Sequence, residues 1–529
     1  MIRRPRLPDV RDVVVIGAGH NSLVAACYLA REGLDVEIVE RDTVVGGAVS
    51  TVERFPGYRV DRGASAHIMV RHTGIIEDLR LAEVGLAYED LDPWGFAPFG
   101  EQALTFWVDL DRTCDSIAAM CGERDAAAYR AFVTLWRTRN ERVFAAFQAP
   151  PTPRHLGRAL WPLGGPGMET AREFLQPGDA LLDASFSDER LKTALSWFGA
   201  QAGPPAHEVG TADLVGWIAM LHVRPPGYPV GGSGMLTRAL ADRFAAYGGR
   251  LRPGDGVARI TSDNGRVTGV VTDGGAAIQA RTVLAGCHVL TMLELLGDAA
   301  LLADAQRRIR IGNGIGMVVR LGTSDLPRYP AATPQTYRAL QLIVRSRSAL
   351  RSAYGDYSAG LPPRAPAVVA MTFSAFDDTL APPGRHSISL WGQWHPYALS
   401  NGERWADIGE REGAKLVEAV DAVAPGFAAT VERMHVQTPP DFERELGLRR
   451  GNVMHVEMGL DAMFGWRPLP EWSAYRGPYQ GLYLTGASTH PGGGVFGASG
   501  RSAARVLLTD CANRPRWRPR SRRRGPWRR

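Results

Sequence analysis

Lysine is almost missing from this 529-residue chain: Lys192 and Lys415 are the only two, and arginine carries nearly all the positive charge. With alanine, glycine and proline abundant, this is the mark of a GC-rich coding bias, so single arginines carry little functional weight. Cysteine is scarce as well. Cys27, Cys114, Cys121, Cys287 and Cys511 make no CxxC pair and no metal-ligand spacing, which argues against a disulfide framework, a redox-active dithiol or a metal site. Long apolar runs are absent: no stretch of 18 apolar residues occurs, and residues 1–9 carry charge without an apolar segment behind them. The reading is a cytoplasmic protein whose only membrane contact would be peripheral. The body also lacks a net positive charge. Net charge is +6, yet residues 514–529 hold nine arginines and no acid, which leaves −3 for everything before them. A nucleic-acid partner is therefore not expected, and the tail reads as a solvated, disordered extension with attraction to an anionic membrane surface as its alternative.

What is present is globular: 45% of residues are apolar and 22% charged, and the length allows two or more domains around a large core. The stretch Val13-Val14-Val15-Ile16-Gly17-Ala18-Gly19-His20-Asn21-Ser22 organises the rest. A short apolar run without alternation predicts a buried parallel strand, and the Ala/Leu-rich residues after it have helical spacing. Gly17 and Gly19 then sit at a strand-to-helix turn, where one allows the tight turn and the other lets the backbone approach a pyrophosphate; the helix N-terminus offers free N–H groups to the anion. Glu40, closing a second apolar run at residues 36–39, is placed to accept hydrogen bonds from ribose hydroxyls. Ser22 stands where the third glycine of such a fingerprint belongs.

Further along, Gly46-Gly47 permit close backbone approach to a ligand, and residues 55–64 read as a turn with an extended piece. From about Thr73 the pattern is helical and irregular, with helices expected over 126–147, 181–198 and 211–222 and a long loop over 149–167. Pro229-Val230-Gly231-Gly232-Ser233-Gly234 leads into a helix at 236–247. Strands at 250–251 and 257–260, a meander over 266–272 and 277–283, and a buried strand at 283–287 follow. Residues 313–442 alternate strands (316–321, 367–373, 387–391) with a helix near 405–423. A strand, a glycine loop and a helix recur from Gly481 to Leu508, so the nucleotide-binding domain is expected to be discontinuous, at 11–72, 225–312 and 452–512. A substrate domain at 73–224 and 313–451 would be threaded through it, with disordered ends at 1–10 and 513–529.

Taken together, Gly17-x-Gly19 with Glu40, Gly46-Gly47, Gly231-Gly232-x-Gly234 and Gly486…His490-Pro491-Gly492-Gly493-Gly494 resemble the phytoene desaturase-type FAD-dependent oxidoreductases, in the branch that includes pyridine nucleotide-disulfide oxidoreductase domain-containing protein 2. The motifs run in order over about residues 12–508. The resemblance implies an α/β fold with a Rossmann-like FAD-binding domain of glutathione reductase type and an inserted α+β substrate domain. It implies FAD as the cofactor, with Gly17, Gly19, His20, Asn21 and Ser22 around its pyrophosphate and Glu40 on the adenosine ribose. Arg41, Gly46, Gly47 and Ala48 would lie along the pyrophosphate and ribityl chain, Val257 on the adenine, and Gly486 and Ala487 on the far side. The loop containing Gly493, Gly494, Val495 and Gly497 would bring N–H groups to the flavin N1–C2=O edge.

The family reaction takes two hydrogens from an apolar substrate, isoprenoid-like or a specialised metabolite, with hydride transfer to flavin N5 and oxygen or a quinone as the final acceptor. A flavin amine or alcohol oxidase releasing hydrogen peroxide and a redox-neutral flavin isomerase, or a non-catalytic binder, remain alternatives. For proton handling His490 ranks first and His67 second, with His395 and His455 also beside cofactor motifs or in the inserted domain; each has a structural role as its alternative. Trp161, Trp197, Trp217, Trp391 and Trp394 are candidates for an apolar pocket or for core.

Overall fold

The computed structural model describes residues 10–152 and 164–513. The two termini and Trp161, with their predicted roles, lie outside the described residues.

Two seven-stranded sheets carry the architecture. In the first, the apolar strands Val36–Val39, Arg11–Ile16, Ala277–Ala285 and Leu482–Leu484 run parallel, and Arg250–Arg252 adds to one edge. Strands buried on both faces need helices above and below. Here the helices His20–Arg31, Gly234–Ala246 and Ala498–Ala512 cover one face, and Val289–Leu296 covers the other. The first helix is buried from Asn21 to Ala30, so it is apolar nearly all round, as a helix inside a protein should be. The last helix crosses it so closely that a Cβ on Gly500 would strike the Asn21 carbonyl.

The meander departs from expectation. Residues 277–285 form one continuous strand, not two: its first part pairs antiparallel with Arg266–Thr272, its last part parallel with Arg11–Ile16 and Leu482–Leu484.

The second sheet orders its strands as Val431–Gln437, Gly316–Thr323, His386–Gln393, Val368–Met371, Leu340–Ile343, Gly95–Phe99 and Gln102–Phe106. All neighbours are antiparallel except Leu340–Ile343 with Gly95–Phe99. The hairpin Gly95–Phe106 lies in a region the sequence pattern presents as helical. Its first strand is buried with no alternation and contains Pro98, while Gly100 at φ +65° makes the turn.

Helices Glu123–Phe147, Gly178–Ser185 and Glu189–Ala200 pack on this sheet around Trp94, Trp136, Trp197 and Trp394. The expected helix over 181–198 is thus two helices, and that over 211–222 is Ala212–Gly216 followed by a 3-10 turn to Met220. A helix Gly164–Phe174 occupies part of the expected long loop. Among the described residues no helix is long and apolar enough to cross a membrane.

Candidate active site

The strand Arg11–Ile16 stops at Gly17, whose φ of +88° a side chain would strain. The first helix starts from Gly19, which has no side chain to cap it, so the amides of the first turn are left for a ligand. Ser22 resolves the missing third glycine. A Cβ on Gly286 would run into the Ser22 Oγ; the small residue that lets helix and sheet approach has moved to the strand side. Ser22 Oγ is itself buried without a partner.

Glu40 accepts from the Ala18 N–H at 2.6 Å through Oε2 and from the Asp42 N–H at 2.9 Å through Oε1. It clamps the glycine turn and keeps lone pairs for further donors. Gly46, at φ +112°, donates to the Ala18 carbonyl at 3.0 Å. A side chain there would collide with the Val49 carbonyl and Thr237, and one on Gly47 would point at Gly19.

These segments border a cavity of about 620 Å³ between the two sheets, within the range of cofactor sites. Gly17, Gly19, His20, Asn21 and Ser22 line it, as do Glu40, Arg41, Gly46, Gly47 and Ala48. Val257, Gly486, Ala487, Gly494 and Val495 complete the predicted set on its wall. Gly493 and Gly497 are not on the wall. Gly493 backs onto Met454 and Gly497, at φ +70°, opens the last helix against Ile75 and Val24; both shape the loop from behind.

The opposite wall is different in kind. The second sheet contributes Leu340, Val369, Met371 and Trp391, and the end of the helix Glu189–Ala200 contributes Gln201. Trp391 turns its N–H away to the Gln393 Oε1 at 2.5 Å and offers only carbon to the cavity. The space thus runs from a polar, amide-rich end to an apolar one. The glycine turn, the uncapped helix, the buried Ser22 hydroxyl and the Glu40 carboxylate fit a dinucleotide such as FAD.

The two histidines ranked for proton handling lie off this cavity wall. His490 is fully buried between the rings of Phe147 and Phe464, and its Nε2–H donates to the Ala146 carbonyl at 3.1 Å. Burial lowers its pKa to about 4. His67 is equally buried, held by the Tyr88 hydroxyl at 2.7 Å and the Ser233 hydroxyl at 2.8 Å. His395 bonds the Gly392 carbonyl inside the substrate-side core. The Gly231–Gly234 segment is also off the cavity: the N–H groups of Gly231, Ser233 and Gly234 donate to Asp377, Asp61 and Thr51, tying a hairpin to a helix. Of the tryptophans, Trp391 lines the cavity, whereas Trp197 and Trp394 are core.

The histidines on the wall are His20, His288 and His455. Burial, partly offset by a hydrogen bond to the Gly494 carbonyl, lowers His20 to about 4, so it is neutral. Beside them lies a residue the sequence gives no reason to select. Arg467 is fully buried, and its guanidinium donates only to backbone carbonyls: Ala487 at 3.0 and 2.7 Å, Glu457 and Ala462 at 3.0 Å, Met454 at 2.6 Å and Val456 at 3.2 Å. Burial lowers its pKa to about 9. It binds the 454–462 segment to the Gly486-Ala487 turn.

A family model described as NAD(P)-binding Rossmann-like domain matches residues 15–79. Pyridine nucleotide-disulfide oxidoreductase domain-containing protein 2 of Rattus norvegicus is 32% identical over 95% of this chain and 94% of its own length. Phytoene dehydrogenase of Streptomyces griseus is 28% identical over 96% and 98%. The crystal structure of an oxidoreductase from Methanosarcina mazei superposes with a TM-score of 0.62 at 16% identity, covering 95% of this chain and all of that one, which shows the shared fold. The Rossmann turn, the two-sheet architecture and full-length identity above 30% agree: the chain is an oxidoreductase of the phytoene desaturase type and belongs to the family of pyridine nucleotide-disulfide oxidoreductase domain-containing protein 2.

Proposed function

We propose that the protein is an FAD-dependent dehydrogenase that desaturates an apolar, isoprenoid-like or specialised-metabolite substrate. The observation that carries this reading is the two-ended cavity, with an amide-rich end for a dinucleotide and a carbon-lined end beside it. In this reading Gly17, Gly19, His20, Asn21 and Ser22 receive the diphosphate, Arg41 lies along the diphosphate and ribityl chain, Glu40 takes the adenosine ribose, and Val257 the adenine. Gly46, Gly47, Ala48, Gly486 and Ala487 follow the middle of the molecule, and Gly494 and Val495, braced by Gly493 and Gly497, meet the ring. Bound FAD supplies a two-electron acceptor for hydride.

The chain's own contribution is position and exclusion of water. Leu340, Val369, Met371 and Trp391 hold a hydrocarbon without offering it a hydrogen bond, and Gln201 is the one polar side chain the substrate-side wall adds. None of these five carries a carboxylate to pair with an ammonium group, which favours carbon–carbon dehydrogenation over amine oxidation. The positive end of the helix Ala498–Ala512, entered through the Gly494–Gly497 turn, favours negative charge developing nearby.

Anaerobic mixing of the FAD-loaded protein with fractions of a host-cell extract tests the reading. Bleaching of the flavin together with a product two hydrogens lighter is expected. Oxygen uptake with peroxide release on a polar amine or alcohol would replace it with an oxidase, and a product of unchanged mass with an isomerase. Oxygen and quinones, offered afterwards, identify the acceptor.

A further inference from the structure

We propose that His455 presents a fixed imidazole Nε2–H to the diphosphate of the bound dinucleotide, its proton assigned by the first turn of the helix Val289–Leu296. The inference rests on the dinucleotide reading above and adds to it a donor that no glycine motif announces.

The protons sort themselves from groups that can act in only one way. The Leu290 N–H donates to His288 Nδ1 at 3.1 Å. A neutral ring has one proton, so it sits on His288 Nε2, which donates to the His455 carbonyl at 3.0 Å. The Val289 N–H donates to the Ser488 Oγ at 3.1 Å, and that hydroxyl's other partner is His455 Nδ1, at 3.1 Å. If Nδ1 carried the proton, the hydroxyl hydrogen of Ser488, a residue 1% exposed, would be buried without an acceptor, at the full desolvation penalty. Ser488 therefore donates to Nδ1, and the His455 proton is on Nε2. The ring lines the cavity, and Nε2 is the edge left for a ligand.

The backbone is held for this purpose from both sides. His455 has φ +65°, costly for a residue with a side chain and retained only where the surroundings impose it. Arg467 grips the carbonyls of Met454 and Val456 on either side, and the ring stacks on His288 with centroids 5.3 Å apart. Burial first, then the nearby His288, Arg467 and His20, hold the ring neutral well below the ordinary histidine range. His20, on the first turn of the first helix, lines the same cavity.

Two substitutions separate the donor from the local scaffold. His455→Asn keeps an acceptor at the Nδ1 position for Ser488 and tolerates positive φ, but has no atom at Nε2. His455→Gln restores an N–H there. FAD and ADP are titrated into deflavinated protein and followed by flavin fluorescence and competition, with the ligand-free melting temperature measured alongside. His455→Asn is expected to weaken both ligands by about 10- to 100-fold, the range of a hydrogen bond to a charged group, and His455→Gln by no more than about threefold. The loss should be the same from pH 5.5 to 8.5, because no proton on His455 titrates there. His455→Asn binding as tightly as wild type, or His455→Gln as weak as His455→Asn with an unchanged melting temperature, overturns the donor and leaves the FAD reading standing. A loss for FAD but not ADP overturns the assignment to the diphosphate. Wild-type protein that takes up neither ligand overturns the FAD reading and this proposal together.

Discussion

Ser22 and Gly286 form one steric unit split across two distant points in the chain. In a glycine fingerprint the third position is small so that helix and strand can meet; here the serine is tolerated because the strand side gave up its Cβ. Gly286→Ala should therefore displace the first helix and abolish FAD retention. Adding Ser22→Gly should recover most of it, a coupling that a double-mutant cycle on FAD affinity measures directly. Independent losses that simply add would refute the pairing. Arg467 makes a second case at the same scale. Its five carbonyl acceptors lie on residues 454–487, and no carboxylate is among its hydrogen-bond partners. Arg467→Ala would leave buried carbonyls unpaired and is expected to destabilise the fold by more than about 3 kcal/mol, with Arg467→Lys intermediate; urea unfolding of the two variants decides it.

Among the elements, the short helix Ala212–Gly216 is buried at every residue. A Cβ on Gly216 would enter the Trp136 ring, and Asn140 Nδ2 donates to the Gly216 carbonyl at 2.9 Å. Asp213 on this helix is buried, and burial raises its carboxyl to about 7, partly offset by backbone N–H groups of Leu214 and Asp213 itself. An unfolded aspartate titrates at about 3.9. Between those values the folded chain holds a proton the unfolded chain has released, so stability falls as pH rises from about 4 to about 7 and is flat beyond. Asp213→Asn has no proton to lose. It should gain on wild type across that window, by at most about 4 kcal/mol, and chemical denaturation at pH 4.5 and pH 8 checks the sign.

Legibility also divides by element. The parallel strands, the first helix and the glycine turns could be read because their signals are local: apolar runs, φ-permissive glycines and the acid at Glu40. The hairpin Gly95–Phe106 could not, since its first strand is covered on both faces and alternation vanishes there. Fifteen of the predicted cofactor residues share the cavity wall, but His490 and His67 did not join them. A histidine flanked by glycines reads the same whether its ring faces a ligand or, as at His490, the Ala146 carbonyl. Arg467 was hidden by the number of arginines around it, and Gly286 by lying outside any motif.

At the scale of the molecule, the cavity wall is assembled from residues 16–49, 63–68, 256–295, 445–455 and 486–495, with the second sheet opposite. A ligand that touches all of these belongs to the folded state alone. Free FAD at a hundred times its dissociation constant should add about 2.7 kcal/mol, so the melting midpoint should climb with FAD concentration and not with riboflavin, which lacks the diphosphate and adenosine. A midpoint indifferent to FAD would remove the cavity from consideration as its site. The strand Ala277–Ala285 has one more consequence. It hydrogen-bonds to Arg11–Ile16 on one side and to Leu482–Leu484 on the other, so the strand made first must wait on the ribosome until more than half the chain has emerged, and the last partner arrives only when synthesis is nearly done. The first sheet therefore completes only when most of the chain has been made. The unfinished chain exposes the edges of apolar strands to every neighbour in the cell, and a gene fragment stopping before residue 277 should yield polypeptide that chaperones retain or that aggregates.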